Sequence, residues 1–181
     1  MPFHFESTQI PEVILIKPKV FGDERGYFLE SYHAKDFAAA GIPYAFVQDN
    51  QSLSKKDTLR GLHFQAAPHS QGKLVRVVQG AIWDVAVDIR PNSPHFGKWT
   101  AHELSDSNHC QLFIPEGFAH GFLVLSDTAL VQYKTSSFYA PDFDRGIAWN
   151  DPEIAIPWPV KNPLLSPKDQ KQPLLKELKF D

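Results

Sequence analysis

Lys73-Leu74-Val75-Arg76-Val77-Val78-Gln79-Gly80-Ala81-Ile82-Trp83-Asp84-Val85-Ala86-Val87-Asp88-Ile89-Arg90 decides the fold class. Two runs rich in β-branched and aromatic residues flank Gln79-Gly80. Trp83, Val85, Val87 and Ile89 alternate with Asp84, Ala86 and Asp88, the period of two of a half-buried strand. With Gln79 and Gly80 as the central turn residues, the runs are expected to pair as a hairpin, Val77 opposite Ile82 and Val75 opposite Asp84. One face then carries Lys73, Val75, Val77, Ile82, Asp84 and Ala86. The other carries Leu74, Arg76, Trp83 and Val85. Lys73 and Asp84 become diagonal neighbours. On a surface such a pair is worth ~0–1 kcal/mol; among apolar neighbours it reads as a partly buried pair inside a cup.

The same arithmetic applies from His120 to Tyr133. A turn at Ser126-Asp127 sets Phe122 against Val131 and His120 against Tyr133. That pair is either a core aromatic pair with satisfied polar tips or part of the same cup. Upstream, Val13 to Ile16, Tyr27 to Tyr32 and Phe46 to Ser54 read as strands. His33 to Ala40 is the one early helix, ended by Gly41 and Pro43. A short helix is expected near Leu174 to Leu178. The chain contains 15 prolines and 14 phenylalanines, which favour strand ends, turns and sheets over helices. Many short strands with few short helices point to a mainly β sandwich or barrel, of which a jelly roll is the form expected. Its exposed edges need cover, and a second subunit is one way to supply it.

At 181 residues the chain is expected to form one domain, with the tail from about residue 161 packing on it. Eighteen basic against 21 acidic residues exclude a generically basic nucleic-acid binder and argue against a polybasic membrane-surface protein. One cysteine, Cys110, allows no intrachain disulfide and no cysteine-based zinc site. No apolar run approaches the ~18 residues of a membrane span, and the N-terminus lacks the pattern of a signal peptide, so a cytoplasmic location is expected. No glycine-rich phosphate loop, nucleophile elbow, His-x-His or His-Glu-x-x-His occurs. His4, His33, His69, His95, His102 and His109 read as scattered surface residues. Alone, Asp169 in Ser166-Pro167-Lys168-Asp169 reads as a solvated loop acid. Strict alternation puts His63 and Arg60 on opposite faces of Leu59 to Gln65, unless a bulge at Gly61 brings them together.

Several ordered motifs carry a resemblance running from about Val13 to Pro173. They are Arg25-Gly26-Tyr27-Phe28-Leu29-Glu30, Gln48-Asp49-Asn50-Gln51-Ser52, Leu59-Arg60-Gly61-Leu62-His63-Phe64-Gln65 and Gly72-Lys73-Leu74-Val75-Arg76-Val77. Further on stand Asp84-Val85-Ala86-Val87-Asp88-Ile89-Arg90, Pro115-Glu116-Gly117-Phe118-Ala119-His120-Gly121-Phe122 and Tyr133-Lys134. Gly146-Ile147-Ala148-Trp149-Asn150-Asp151-Pro152 and Leu165-Ser166-Pro167-Lys168-Asp169 complete the set. Together they resemble the dTDP-4-dehydrorhamnose 3,5-epimerase family, the cupin-fold sugar nucleotide epimerases.

The resemblance implies a cupin-type barrel that epimerises dTDP-4-dehydro-6-deoxy-D-glucose at carbons three and five, in dTDP-rhamnose biosynthesis. It matches His63 to the general base, Asp169 to its carboxylate partner, Lys73 to the group on the enolate oxygen and Tyr133 to the acid of the opposite face. Arg25, Glu30, Gln48, Asn50, Arg60, His120, Asp144 and Lys168 match substrate contacts; relatives often have Glu at position 144. Asp84 is expected to support Lys73 or His63. The resemblance further implies a homodimer, with the segment carrying Arg25 and Glu30 exchanged between subunits. No cofactor is expected. Metal-binding cupins carry His-x-His and a later Glu, whereas here Gln65 replaces the second His and Lys73 the Glu. A lysine there disfavours Zn²⁺, so the site is expected to be metal-free.

Overall fold

The computed structural model describes residues 2–179. The chain runs through β1 (Phe3–Ser7), β2 (Ile14–Pro18), β3 (Phe21–Asp23) and β4 (Gly26–Phe28) to a short helix, α1 (Ala34–Ala39). Next come β5 (Gln48–Lys55), β6 (Leu59–Gln65), β7 (Lys73–Gln79) and β8 (Ala81–Asp88). β9 (Trp99–Ser105), β10 (Gln111–Ile114), β11 (Phe118–Val124), β12 (Thr128–Thr135) and β13 (Asp144–Gly146) follow, with 3-10 turns at Asp169–Lys171 and Leu175–Glu177. Two antiparallel sheets face each other, one ordered β1-β2-β10-β7-β12-β5 and the other β13-β6-β11-β8-β9. Strands β3 and β4 form a separate two-stranded hairpin. The predicted mainly β, cupin-type jelly roll is the fold observed.

Both predicted hairpins are corrected. β7 pairs with β10 and β12, while β8 pairs with β9 and β11, so the two runs lie in opposite sheets. β11 and β12 are separated in the same way. Gly80 is a corner between the sheets. Its φ is +82°, and a Cβ there would meet the Thr128 carbonyl at 2.1 Å. The face assignments nevertheless hold. Alternation fixes which residues share a face, and the inward faces of two stacked sheets meet across the core. Val75 and Val77 therefore pack with Ile82, Ala86, Phe122 and Val131.

Two further clusters cover the outer faces. Val85, Val87, Leu59 and Leu123 are capped by Ile147, Ile154, Trp158 and Leu175 of the C-terminal segment. Leu74, Phe113 and Ile16 are capped by Phe37 of α1. This helix starts where His33 Nδ1 accepts from the Asp36 amide, 3.4 Å away, and its first turn carries that acid. The expected strand from Tyr27 to Tyr32 ends at Phe28. Strands β1, β9 and β10 went unread. In β9 the inward positions are Thr100, His102 and Leu104, a mixture that blurs the apolar alternation.

His102 is also corrected. It stands directly opposite Asp84 in the β8–β9 ladder and is half-buried rather than scattered on the surface.

Candidate active site

Six strands of the two sheets and the C-terminal segment bring titratable groups to one end of the barrel. The arrangement begins with a bulge in β6. His120 pairs with His63 and Phe122 with Arg60, so Gly61 and Leu62 together oppose Gly121. The extra residue turns Arg60 to the same side as His63. Gly61 has φ +121°, and a Cβ on it would lie 2.5 Å from the Gly121 Cα. Only glycine fits that crossing. Arg60 then donates to Ser54 Oγ of β5 at 2.9 Å.

His63 Nε2 and Asp169 Oδ1 are 2.5 Å apart. Asp169 is 4% exposed, which overturns its reading as a solvated loop acid. Ser166 builds the turn around it: the Ser166 hydroxyl donates to Asp169 Oδ2 at 2.9 Å and accepts from the Asp169 amide at 3.1 Å. Burial works against the Asp169 carboxylate, but the bond from His63, with help from Ser166 and Lys168, holds its pKa below the ordinary carboxylate value. An ionised Asp169 requires the proton on His63 Nε2 and leaves Nδ1 as the ring's acceptor.

Lys73 is 8% exposed and donates to the His63 carbonyl at 3.3 Å. Burial lowers its pKa to about 8, while Asp84 and Asp144 pull the other way. His120 Nε2 and Asp84 Oδ1 are 2.7 Å apart, and Asp84 is wholly buried. Burial also pushes the His120 pKa below the usual imidazole value, against the pull of Asp84. Tyr133 packs against the inner core, opposite Asn50 on β5 and Val75 on β7. Burial raises its pKa, Arg60 opposes the rise, and Asp144 and Tyr139 add to it. The phenol therefore stays protonated at neutral pH.

Lys168 Nζ lies 2.5 Å from Asp144 Oδ2, the same oxygen that accepts from the Tyr139 hydroxyl at 3.0 Å. Gln48 donates to Asn50 Oδ1 at 2.9 Å and accepts from the Tyr139 amide at 3.0 Å. Gln65, at the position of a cupin metal ligand, is spent on backbone. It donates to the His69 and Phe138 carbonyls and accepts from the Ala140 amide. Among the described residues, no group of three or more His, Cys, Asp or Glu side chains is placed to hold a metal ion.

Two expected residues are not tied to this assembly. Arg25 sits in the exposed turn between β3 and β4, its guanidinium on Asp23 at 2.5 Å, and Glu30 follows β4 with partial exposure. Two contributors went unread: Ser166 and Tyr139. Ser166-x-x-Asp169 has the spacing of a side chain capping a turn, which is a legible signal. Tyr139 is 57% exposed in an irregular segment and carries no such pattern.

The assembled groups are suited to moving protons next to a carbonyl. A carboxylate-oriented imidazole, a buried ammonium and a protonated phenol converge without a nucleophile. Comparison with known proteins agrees. The family model for dTDP-4-dehydrorhamnose 3,5-epimerase matches residues 7–177. A dTDP-4-dehydrorhamnose 3,5-epimerase of Shigella flexneri is 60% identical over 164 residues, covering 90% of this chain and 91% of that one. One from Escherichia coli K12 is 56% identical, covering 94% of each. The crystal structure of dTDP-6-deoxy-D-glucose-3,5-epimerase from Legionella pneumophila, in complex with dTDP-4-keto-L-rhamnose, superimposes with a TM-score of 0.95. It is 48% identical and covers 98% of this chain and 95% of that chain.

Proposed function

The chain belongs to the dTDP-4-dehydrorhamnose 3,5-epimerase family, and from that membership we propose how its own residues divide the chemistry. The reaction inverts carbons three and five of dTDP-4-dehydro-6-deoxy-D-glucose, giving dTDP-4-dehydro-L-rhamnose. The keto group acidifies the hydrogens on both neighbouring carbons. His63 takes the proton from one face, oriented by Asp169. The electron pair moves onto the carbonyl oxygen, where the Lys73 ammonium stabilises the enolate. Tyr133 returns a proton to the same carbon from the other face. One C–H bond breaks and another forms, with no net transfer of electrons. The step therefore calls for no redox cofactor. The observation that carries this reading is the 2.5 Å contact between His63 and a buried Asp169, with the buried Lys73 bonded to the His63 carbonyl at 3.3 Å.

Arg60 and Lys168 suit the pyrophosphate by charge and donor geometry. Gln48, Asn50, His120 and Asp144 suit the remaining polar groups of the nucleotide sugar. Lys168 is held by Asp144 in this structure, so binding a phosphate exchanges one anion for another. Incubation with dTDP-4-dehydro-6-deoxy-D-glucose in D₂O, read by NMR, tests the whole reading. Deuterium is expected at both carbons three and five. A single site of incorporation makes the chain a mono-epimerase, and none rejects the assignment of this substrate.

We also propose a cytoplasmic homodimer. The β3–β4 hairpin exposes Phe21, Tyr27 and Phe28 at 48%, 59% and 65%. An apolar ribbon that carries Arg25, and that meets the rest of its chain through Tyr27 against His109 at 4.7 Å and Phe21 under Lys19, suits exchange onto a second copy, where Arg25 and Glu30 would complete the phosphate end of the site. Light scattering at micromolar concentration is expected to give twice the chain mass; a monomer mass rejects the exchange.

A further inference from the structure

Asp84 is wholly buried on the inward face that Ile82 and Ala86 share, and its contacts do not use it up. His120 Nε2 takes Oδ1 at 2.7 Å, while Oδ2 is buried with no hydrogen-bond partner. Lys73 faces it from the opposite sheet with a single acceptor, the His63 carbonyl at 3.3 Å, so it has donors to spare. We propose that Asp84, clamped by His120, is the positioning residue that keeps Lys73 a cation beside the reacting oxygen. This rests on the reading of Lys73 as the enolate-stabilising group.

Three basic side chains surround Asp84: Lys73 on β7, His120 on β11 and His102 on β9. Burial holds both imidazoles below their usual pKa, so at neutral pH they are uncharged and hydrogen-bond without neutralising. That leaves Lys73 as the cation matched to the Asp84 charge. The other groups facing Lys73 are His63 on β6, Tyr133 on β12 and Asp144 on β13. His63 presents its carbonyl and Tyr133 is protonated. Asp144 is already shared between Lys168 and Tyr139 at the mouth. Asp84 is therefore the countercharge that substrate entry does not disturb. The clamp matters because a carboxylate free to rotate would take the Lys73 donors from the substrate oxygen. His120 fixes Oδ1 and holds the carboxylate in the wall of the cavity, where it acts on Lys73 through the low-dielectric core without bonding to it.

The sign follows from the charge. Lys73 is active when protonated, so kcat/KM falls as pH rises through its pKa, about 8. Asp84→Asn keeps the shape and the acceptor for His120 but removes the charge. Its alkaline limb is expected about 1 unit lower, so that turnover near pH 8 drops roughly 5-fold while the value near pH 6 stays close to the parent's. A uniform loss at every pH with the limb unmoved means a purely structural residue and overturns the proposal. Lys73→Ala separates the two layers: unchanged turnover in that variant rejects the role of Lys73 itself. Should Asp84→Asn fail to fold, the Lys73 ε-¹³C resonance in Asp144→Asn decides, because Asp144 also raises the Lys73 pKa. A lysine this buried without either carboxylate titrates at about 5–6. With Asp144 neutralised, a midpoint still above 7 supports Asp84 as the partner, and one below 7 overturns it.

Discussion

Replacing His63 by alanine is expected to lower turnover by roughly 10²–10⁴-fold, the usual cost of a lost general base. Deuterium wash-in from D₂O should fall with it, because without proton abstraction no enolate forms. The barrel should survive. His63 is about one-third exposed at its side chain, and its backbone ladder to β11 and β13 does not depend on the ring. The side effect falls on Asp169, which keeps Ser166 as a donor but loses its imidazole. A circular dichroism melt close to the parent's, together with collapsed exchange and turnover, is the expected pair of results. Persistent exchange at both carbons would remove His63 from the base role.

Tyr133→Phe should differ in kind. The base, its carboxylate and the Lys73 charge all remain, so the enolate still forms and solvent exchange from the original face persists. Inverted product should fall by about 10²-fold or more, since no acid stands on the other face. The ratio of exchange to inversion therefore rises sharply, while in His63→Ala both fall together. If Tyr133 serves only to pack against the inner core, removing one hydroxyl leaves the ratio unchanged and turnover near that of the parent. NMR counts of deuterium in recovered substrate and in product distinguish the two cases.

The cavity-facing residues were legible because period-two alternation survives any choice of neighbour. Lys73, Asp84, His120 and Tyr133 fall on inward faces whether their strands pair with each other or stack across the core. The partners were not legible. Gln79-Gly80 and Ser126-Asp127 are good turn sequences, and the same chemistry that closes a hairpin also turns a corner between sheets. The bulge at Gly61 was readable as an option, and the two-for-one pairing opposite Gly121 realises it. Asp169 was not readable from local pattern alone. Its burial depends on a segment that returns across the barrel after 106 residues, and nothing in Ser-Pro-Lys-Asp declares its destination. Arg25 shows the opposite limit, since a residue on an exposed hairpin acquires neighbours only through what that hairpin touches.

The contact between His63 and Asp169 also orders events in time. The tail that carries Asp169 packs on a face that β6, β8 and β11 make together, so its docking is expected to follow the pairing of those strands. A growing or half-folded chain thus holds its phenol and its ammonium before it holds a competent base. Recovery of turnover during refolding is therefore expected to lag behind recovery of the β-sheet signal. The enzyme's first proton transfer reports that the tail has docked.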